Sequence, residues 1–411
     1  MKQLRSIIML AVVLLTVDSI SARSIHLTYK VDTSGTCYSA LLDTAVNPYN
    51  MGISGNWRPK ATYVFYGSRT ESNAAQETNI RQAGTLASFD AFWKLNPGTG
   101  WQAAFDTSKW VWNQQSTLIN TKGFELENKD PLGRYNAGIY GYDNELPVAV
   151  VQNARYREVV FEGFEDYGYG LTPANIACET GRNLDFQKYK SWIDSSAAHT
   201  GRYSLLIPKD MHTSEGAIIT DTDIIDFDFA VNKRNMACSP GEGLQSIRAN
   251  TKVVLPSFSP FPGKKMLVSA WVKEQTDCNC NAYTNAQIVL LSGSTSVTCK
   301  PKGIIIDGWQ RIEEVIDVPA TATSFSVALY AGAGTGVYFD DIRIHPFNAN
   351  MQSYIYDPVT LRLMAQLDEN NFASFYEYDD EGTLVRLKKE TERGIKTIKE
   401  TRSALIKDEN L

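Results

Sequence analysis

The chain has 411 residues, of which 43% are hydrophobic and 21% are charged, and its formal net charge is −6. This length predicts two or three domains with a sizeable core. The negative charge argues against a nucleic-acid-binding protein, which would need a concentrated basic face. The enzyme motifs G-x-S-x-G and H-E-x-x-H do not occur in the sequence, so we expect a protein without catalytic activity.

The first segment has the pattern of a signal peptide. Lys2 and Arg5 precede an apolar run at 7–17, and small residues follow it up to Ala22. The run is shorter than the roughly 20 apolar residues that a membrane helix needs, so we expect a signal peptide at 1–22. No later segment predicts a transmembrane helix. The sequence therefore predicts an exported protein that is secreted, periplasmic or at the cell surface.

The six cysteines suit an oxidising compartment, and as an even set they predict disulfides in one of fifteen full pairings. They are Cys37, Cys178, Cys238, Cys278, Cys280 and Cys299. Unpaired thiols and a zinc site at Cys278 and Cys280 are the alternatives. The zinc site is disfavoured because no histidine or second close cysteine pair accompanies these two residues.

Residues 23–155 form an aromatic-rich region with strand-like runs at 61–66 and 110–112. Helices are expected only around 72–83 and 88–95. Its dense aromatics could stack on sugar rings, but core packing and cross-strand pairing are the favoured interpretation.

Residues 156–348 predict an all-β domain, because short alternating segments are separated by turns rich in glycine, aspartate, asparagine and proline. Seven such segments within fewer than 200 residues indicate a two-sheet sandwich. The strand candidates are 159–165, 202–207, 266–273, 287–291, 311–318, 324–330 and 337–344. Residues 349–411 predict an antiparallel meander of four strands with a charged tail. A solvated helix over 388–407 is the alternative there.

One four-residue phrase occurs three times. Its copies are Tyr140-Gly-Tyr142-Asp143, Tyr354-Ile-Tyr356-Asp357 and Tyr376-Glu-Tyr378-Asp379. Residues two apart in a strand share a face, so each tyrosine pair is expected on one side of a hairpin while the aspartate opens the turn. A repeated short unit of this kind predicts a β-repeat scaffold.

The phrases resemble the YD repeats of RHS-type proteins, which are large exported β-shell proteins. Upstream motifs such as Asn56-Trp57-Arg58-Pro59 and the segment 130–134 resemble exported proteins of Bacteroidetes. The resemblance implies a C-terminal YD-repeat meander and, as partners, other RHS-type shell proteins. In that case the chain would be a structural fragment of a secretion or toxin shell, with the middle domain as a docking module.

The middle domain resembles a carbohydrate-binding-module jelly roll with a galactose-binding-like fold. The residues that carry this resemblance are Phe164-Glu165-Asp166 and the segments 199–205, 269–273, 308–311 and 337–344. It implies that the domain binds a glycan or a cell-surface polysaccharide, for example in adhesion. Sugar sites use exposed aromatic side chains. Tyr189 and Trp192 are the first candidates, and Trp271 or Tyr330 would serve if their face is open.

A calcium ion is the candidate cofactor. Alternation along 337–344 predicts Asp340 on the same buried face as Tyr338 and Ile342. A buried carboxylate needs a cation or an arginine nearby. The jelly-roll resemblance implies a structural Ca²⁺ between Glu165 and Asp340, with Asp341 as a substitute ligand, and oxygen ligands suit this ion. A salt bridge and solvent-facing acids are the alternatives.

Overall fold

The computed structural model describes residues 60–70, 75, 85–86, 88–98, 100–120, 123–169, 182–219, 229–235, 242–249, 258–276, 280–293 and 295–401. The signal-peptide segment, most of the helix expected at 72–83 and four of the cysteines (37, 178, 238 and 278) lie outside these residues. The described residues form 27 β-strands and two short 3₁₀ helices, Tyr156–Glu158 and Gln187–Trp192. The predicted mainly β fold is thereby confirmed.

The largest element is an antiparallel sheet of ten strands, which we call the long sheet. In spatial order it contains β1 (Ala61–Phe65), β6 (Trp110–Ile119), β7 (Glu125–Lys129), β8 (Tyr135–Gly141), β9 (Leu146–Gln152), β23 (Asn350–Tyr356), β24 (Leu363–Leu367), β25 (Ala373–Tyr378), β26 (Leu384–Thr391) and β27 (Gly394–Glu400). Met351 of β23 lies opposite Val151 of β9. Strands on both sides of the central region therefore form one sheet.

The residues between β9 and β23 form a sandwich of two sheets. The first contains β10 (Val160–Glu162), β11 (Ile193–Asp194), β12 (Ser204–Ile207), β16 (Lys265–Glu274), β19 (Pro301–Ile306), β20 (Trp309–Asp317) and β22 (Val337–Pro346). The second contains β13 (Glu215–Ile218), β17 (Ala286–Ser292), β18 (Thr295–Cys299) and β21 (Ser324–Ala331). Alternating apolar residues from both sheets, such as Val268 and Leu329, meet in one buried core. All seven predicted strand segments are present.

Three two-stranded antiparallel sheets complete the described strands. They are β2 (Arg69–Thr70) with β3 (Thr85–Leu86), β4 (Trp93–Asn96) with β5 (Gly100–Ala103), and β14 (Phe229–Asn235) with β15 (Glu242–Ala249). No described helix is long and apolar enough to cross a membrane.

The helix expected at 88–95 is wrong, and over the described residues from 388 the predicted meander of strands forms in place of the alternative helix. The segment 88–95 contributes to β4, where Leu95 pairs with Trp101 in a hairpin. The charged stretch from 388 forms β26 and β27, in which Lys389 lies opposite Lys396. In both places cross-strand pairing overrides the local helical pattern.

The cysteines do not all pair. Cys299 at the end of β18 is a buried free thiol, whereas Cys280 is disulfide-bonded. The prediction that all six cysteines pair is therefore wrong.

Strand β22 contains a bulge that changes which face its residues occupy. Asp341 has a φ of +50°, and the pairing with β16 shifts between Ser269 and Trp271. As a result Phe339 and Ile342 both belong to the sandwich core, although simple alternation would separate them. Tyr338 belongs to a different buried cluster on the outer face. The predicted common face for Asp340, Tyr338 and Ile342 is therefore wrong.

The tyrosine-aspartate phrases connect strands of the long sheet. The Tyr142 hydroxyl donates a hydrogen bond to the carbonyl of Tyr356, and the Tyr356 hydroxyl donates to Pro147 at 3.2 Å. The Asp357 carboxylate accepts the backbone N–H of Val359 at 2.8 Å and so closes the turn after β23. The first and second copies are therefore neighbours in space despite their separation in the chain.

Candidate functional site

The outer face of the seven-stranded sheet is covered by the turn between β24 and β25. Trp271 on β16 is only 1% exposed. Its indole N–H donates to the Asn371 carbonyl at 2.7 Å, and the Phe372 ring meets it edge-on at 5.8 Å. Arg343 donates to the Asp368 carbonyl at 2.6 Å. Trp271 therefore offers no free ring face to a ligand, and the condition for its role as a sugar platform, an open face, is not met.

A histidine clasp joins the sandwich to the long sheet beside this contact. The His199 ring stacks on Trp271 with centroids 4.2 Å apart. Its Nδ1 lies 2.7 Å from Asp341 and its Nε2 lies 3.0 Å from Glu390 on β26. Burial alone would lower the pKa of His199, but the hydrogen bonds to Asp341 and Glu390 raise it to about 9. At neutral pH the clasp is therefore a buried imidazolium between two carboxylates.

Next to the clasp lies a cleft of about 290 Å³ between the sandwich and strands β24 to β27. This volume is close to the lower end of the range of ligand-pocket volumes, which is about 300 Å³. Fourteen residues line it: Ala198, His199, Thr200, Gly201, Ile306, Asp307, Trp309, Met364, Phe375, Tyr376, Glu377, Lys388, Glu390 and Ile395. Both layers of the structure thus contribute to one concave surface.

The cleft combines aromatic surface with charged groups. Trp309 and Tyr376 supply rings from the sandwich and from the long sheet, respectively. Glu377 forms an ion pair with Lys388 and a second one with Arg386 at 2.7 Å. The hydrogen bond from Lys388 lowers the pKa of Glu377 below its usual value. Glu377 is therefore an ionised acceptor beside a cationic donor.

The predicted metal residues form a buried carboxylate cluster. The Glu165 Oε1 accepts the backbone N–H groups of Arg202 at 2.7 Å and Tyr203 at 2.8 Å, whereas its Oε2 is buried without a hydrogen-bond partner. Burial raises the pKa of Glu165 to about 8, and the charge of Asp341 adds to the rise. Burial and the charges of Asp341 and Glu165 hold the pKa of Asp340 well above its usual range. Burial and the neighbouring charges therefore disfavour the ionised forms of Glu165 and Asp340.

The donor set of this cluster fits a hard cation in part. All three side chains offer oxygen, which Ca²⁺ prefers, and the unpartnered Oε2 of Glu165 is a free acceptor. The other carboxylates already accept hydrogen bonds, for example Asp340 from the backbone N–H of His199 at 2.8 Å. Among the described residues, no three histidine, cysteine or acidic side chains form a group that could hold a metal ion.

The remaining predicted platform residues do not line the cleft. Tyr189 and Trp192 stack on each other at 5.1 Å and pack against the sandwich core. The Tyr189 hydroxyl accepts the backbone N–H of Ser214 at 2.7 Å. Tyr330 stacks on His212 at 4.5 Å and lies on the four-stranded sheet. The sequence did not predict the cleft, because its walls come from segments far apart in the chain. Of the predicted site residues, Tyr376 alone lines it, as part of a repeat.

No family model and no curated protein matches the chain. Among solved structures, a family 16 carbohydrate-binding module is 12% identical, with 37% of this chain and 82% of that one covered and a TM-score of 0.21. A xylan-binding domain of carbohydrate-binding-module family 22 is 12% identical, with 51% and 96% covered and a TM-score of 0.22. A Clostridium thermocellum endo-1,4-β-D-xylanase complexed with xylohexaose is 15% identical, with 30% and 25% covered and a TM-score of 0.17. These likenesses are too weak to assign a function, so the geometry of the cleft has to indicate one.

Proposed function

We propose that this chain is a non-enzymatic, exported carbohydrate-binding protein whose saccharide site is the cleft between the sandwich and β24 to β27. The observation behind this proposal is the joint lining of the cleft by aromatic rings and an ionised Glu377–Lys388 pair. A mostly apolar concave wall with a few convergent polar groups is typical of small-molecule sites. The cleft is also a concave surface beside the covered face of Trp271.

Each kind of lining residue matches one part of a sugar. The C–H face of a pyranose ring is apolar and packs on aromatic side chains such as Tyr376 and Phe375, which line the cleft and are partly exposed. Neighbouring hydroxyls both donate and accept hydrogen bonds, and a carboxylate next to an ammonium group supplies both partners. Charge-assisted hydrogen bonds are the stronger kind. Glu377 and Lys388 therefore suit a vicinal diol.

The charge state of the cleft supports binding over hydrolysis. Glycoside hydrolysis requires one carboxylic acid that keeps its proton at working pH, and therefore a raised pKa. The pKa of Glu377 is lowered by Lys388. Glu390 is hydrogen-bonded to His199 and also accepts the backbone N–H of Ala373 at 3.0 Å. Of the three acids that line the cleft, Asp307, Glu377 and Glu390, the last two thus have structural or binding partners that oppose a proton-donor role.

A glycan array followed by calorimetric titration tests whether the cleft binds a saccharide. We expect the purified chain to bind at least one oligosaccharide of the array, and Glu377→Gln to weaken that binding about tenfold or more, because a charged hydrogen bond is lost. Glu381→Gln is the matched control, since this acid is exposed in the turn of the same β25–β26 hairpin. Binding to no glycan, or equal affinities for both variants, would overturn the proposal.

A second candidate function is structural. It is favoured by the covered face of the sandwich, where Trp271 and Arg343 bind the turn at 368–372. The sandwich would then act as a docking module, with RHS-type shell proteins as partners. Association with other repeat-bearing chains in sedimentation experiments, together with no glycan binding, supports this candidate. A monomer that binds a glycan in the cleft excludes it.

A structural Ca²⁺ at Glu165 and Asp340, with Asp341 as the substitute ligand, is part of the proposal. It is supported by the unpartnered Oε2 of Glu165 and by the repulsion within the cluster. A bound cation would neutralise these charges. We expect Ca²⁺ to raise the melting temperature and a chelator to reverse the rise, with no such response in Glu165→Gln. An unchanged melting temperature in the parent chain rules out the site.

A further inference from the structure

One arginine is buried between the sandwich and the long sheet with most of its donors unused. Arg343 on β22 is only 1% exposed. Its Nη1 donates a hydrogen bond to the Asp368 carbonyl at 2.6 Å, whereas its Nε and Nη2 have no hydrogen-bond partner among the described residues. A guanidinium has N–H donors on all three nitrogens and keeps its charge at neutral pH. Since a buried charge is costly unless it is paired and hydrogen-bonded, these donors need a partner.

The acids around Arg343 bind other groups. The charges of Asp341, Asp368 and Glu369 raise the pKa of Arg343, but burial outweighs them and lowers it to about 10. The Asp341 carboxylate lies 2.7 Å from the ring of His199. The Asp368 carboxylate accepts backbone N–H groups of its own turn, and Glu369 accepts a side-chain amide from β23. Within the described part of the chain, Arg343 is therefore a buried cation without a carboxylate in direct contact.

Ser353 on β23 faces the same boundary between the two layers. It is 0% exposed, and its hydroxyl has no hydrogen-bond partner among the residues that the structure describes. Ser353 lies opposite Leu367, the residue before Asp368, whose carbonyl binds Arg343. Phe161 lies opposite Arg343 on β10 and packs against the buried clusters that contain the residues two before and two after Ser353. Arg343 and Ser353 thus belong to one buried boundary.

Asn371 closes this boundary from the turn between β24 and β25. Its side-chain amide donates to the Ser269 hydroxyl at 3.3 Å and to the Asp341 carbonyl at 3.1 Å. Ser269 lies opposite Arg343 on β16. The Asn371 Oδ1 is buried and has no hydrogen-bond partner among the described residues. Unused donors on Arg343 and Ser353 therefore outnumber the single unused acceptor on Asn371.

The charge and the burial of these groups indicate the kind of ligand. Buried polar groups without a partner mark the place of a water molecule or an ion. Water would satisfy the hydrogen bonds and leave the charge of Arg343 uncompensated, whereas an anion does both. Arg343, Ser353 and Asn371 are each at most 1% exposed, so the boundary suits a monatomic anion and not a saccharide or an organic acid.

We propose that Arg343 and Ser353 form a buried halide site, occupied by chloride, that joins β22 of the sandwich to β23 of the long sheet. The chloride accepts hydrogen bonds from the Arg343 Nε and Nη2 and from the Ser353 hydroxyl. Neither residue lines the saccharide cleft. The halide site therefore stabilises the contact between the layers whether or not the cleft binds a sugar.

Thermal unfolding of the full chain in sodium chloride and in sodium methanesulfonate at equal ionic strength tests this site. A ligand that binds only the folded chain raises its melting temperature. We expect the parent chain to melt at least about 2 °C higher in chloride and Arg343→Met to lose this difference. Arg393→Met is the matched control, because this arginine is exposed in the turn between β26 and β27. It should respond to chloride as the parent does.

Ser353→Ala separates loss of the anion from loss of folding, because it removes one hydroxyl and keeps Arg343. We expect this variant to need about three- to tenfold more chloride for the same rise in melting temperature. Crystals of the parent chain grown in sodium bromide give a second readout. An anomalous peak within hydrogen-bond distance of the Arg343 Nε or Nη2 is the expected result.

Equal melting temperatures of the parent chain in the two salts would overturn the inference, as would an equal response to chloride in the parent and in Arg343→Met. An ordered water molecule at Arg343 in place of bromide would also overturn it. The cleft variant Glu377→Gln should keep the response to chloride, so a failure of saccharide binding leaves this result unchanged.

Discussion

Truncation of Phe372 tests the contact between the β24–β25 turn and the outer face of the seven-stranded sheet. The Phe372 ring packs edge-on against Trp271 at 5.8 Å and lies 4.8 Å from the guanidinium of Arg311. Complete Phe→Ala truncation in a core costs about 3–5 kcal/mol, and Phe372 is half-buried. The lost cation–π contact adds about 0.5–1 kcal/mol. We therefore expect Phe372→Ala to lower the free energy of unfolding by about 2–3 kcal/mol.

Urea unfolding monitored by tryptophan fluorescence measures this loss. Phe347→Ala is the matched control, because Phe347 follows β22 and is 54% exposed, so its truncation should cost less than about 0.5–1 kcal/mol. Exposure of Trp271 to water should also shift the emission of the Phe372 variant to the red before unfolding begins. If both variants unfold at the same urea concentration and show the emission wavelength of the parent chain, the turn between β24 and β25 does not hold the sandwich and the long sheet together.

Three further predictions concern the buried polar groups. The raised pKa of His199 means that its ion pairs stabilise fully below about pH 6.5 and are lost as the pH rises through about 9. Glu390→Gln should thus cost about 1–3 kcal/mol at about pH 6 and much less at about pH 10, and an equal cost in urea titrations at both values contradicts the clasp. Tyr142→Phe should cost about 1–2 kcal/mol by leaving the carbonyl of Tyr356 without its donor, and an unchanged thermal midpoint refutes that role. Ca²⁺ should raise the melting temperature more at about pH 9 than at about pH 6, because the pKa of Glu165 is about 8, and equal shifts count against Glu165 as a ligand.

Local pattern was enough to predict most strands. The segments 266–273 and 337–344 alternate or run apolar between turn residues, and both are strands in the structure. The bulge at Asp341 was not predictable, because its φ of +50° arises from pairing with β16 and not from the local sequence. A one-residue change in phase then reverses every later side chain of the strand.

Non-local pairing accounts for the other differences. The tyrosine phrases suggested separate hairpins at 140–143 and 354–357, yet β9 and β23 are adjacent in one sheet. The contact of His199 with Glu390, 191 residues further along the chain, has no local signature. Alternation along 337–344 indicates Asp340 as a buried carboxylate, and Glu165 follows only from the resemblance to a carbohydrate-binding module, whereas the cleft depends on how two layers meet.

Binding of soluble oligosaccharides to the parent chain and to Glu377→Gln is the most direct test of the central claim. We predict measurable heat of binding for at least one oligosaccharide, at least tenfold weaker affinity for Glu377→Gln, and parent-like affinity for Glu381→Gln. Tight binding that survives Glu377→Gln unchanged, or no binding by the folded parent chain, would contradict the assignment of the cleft as a saccharide site.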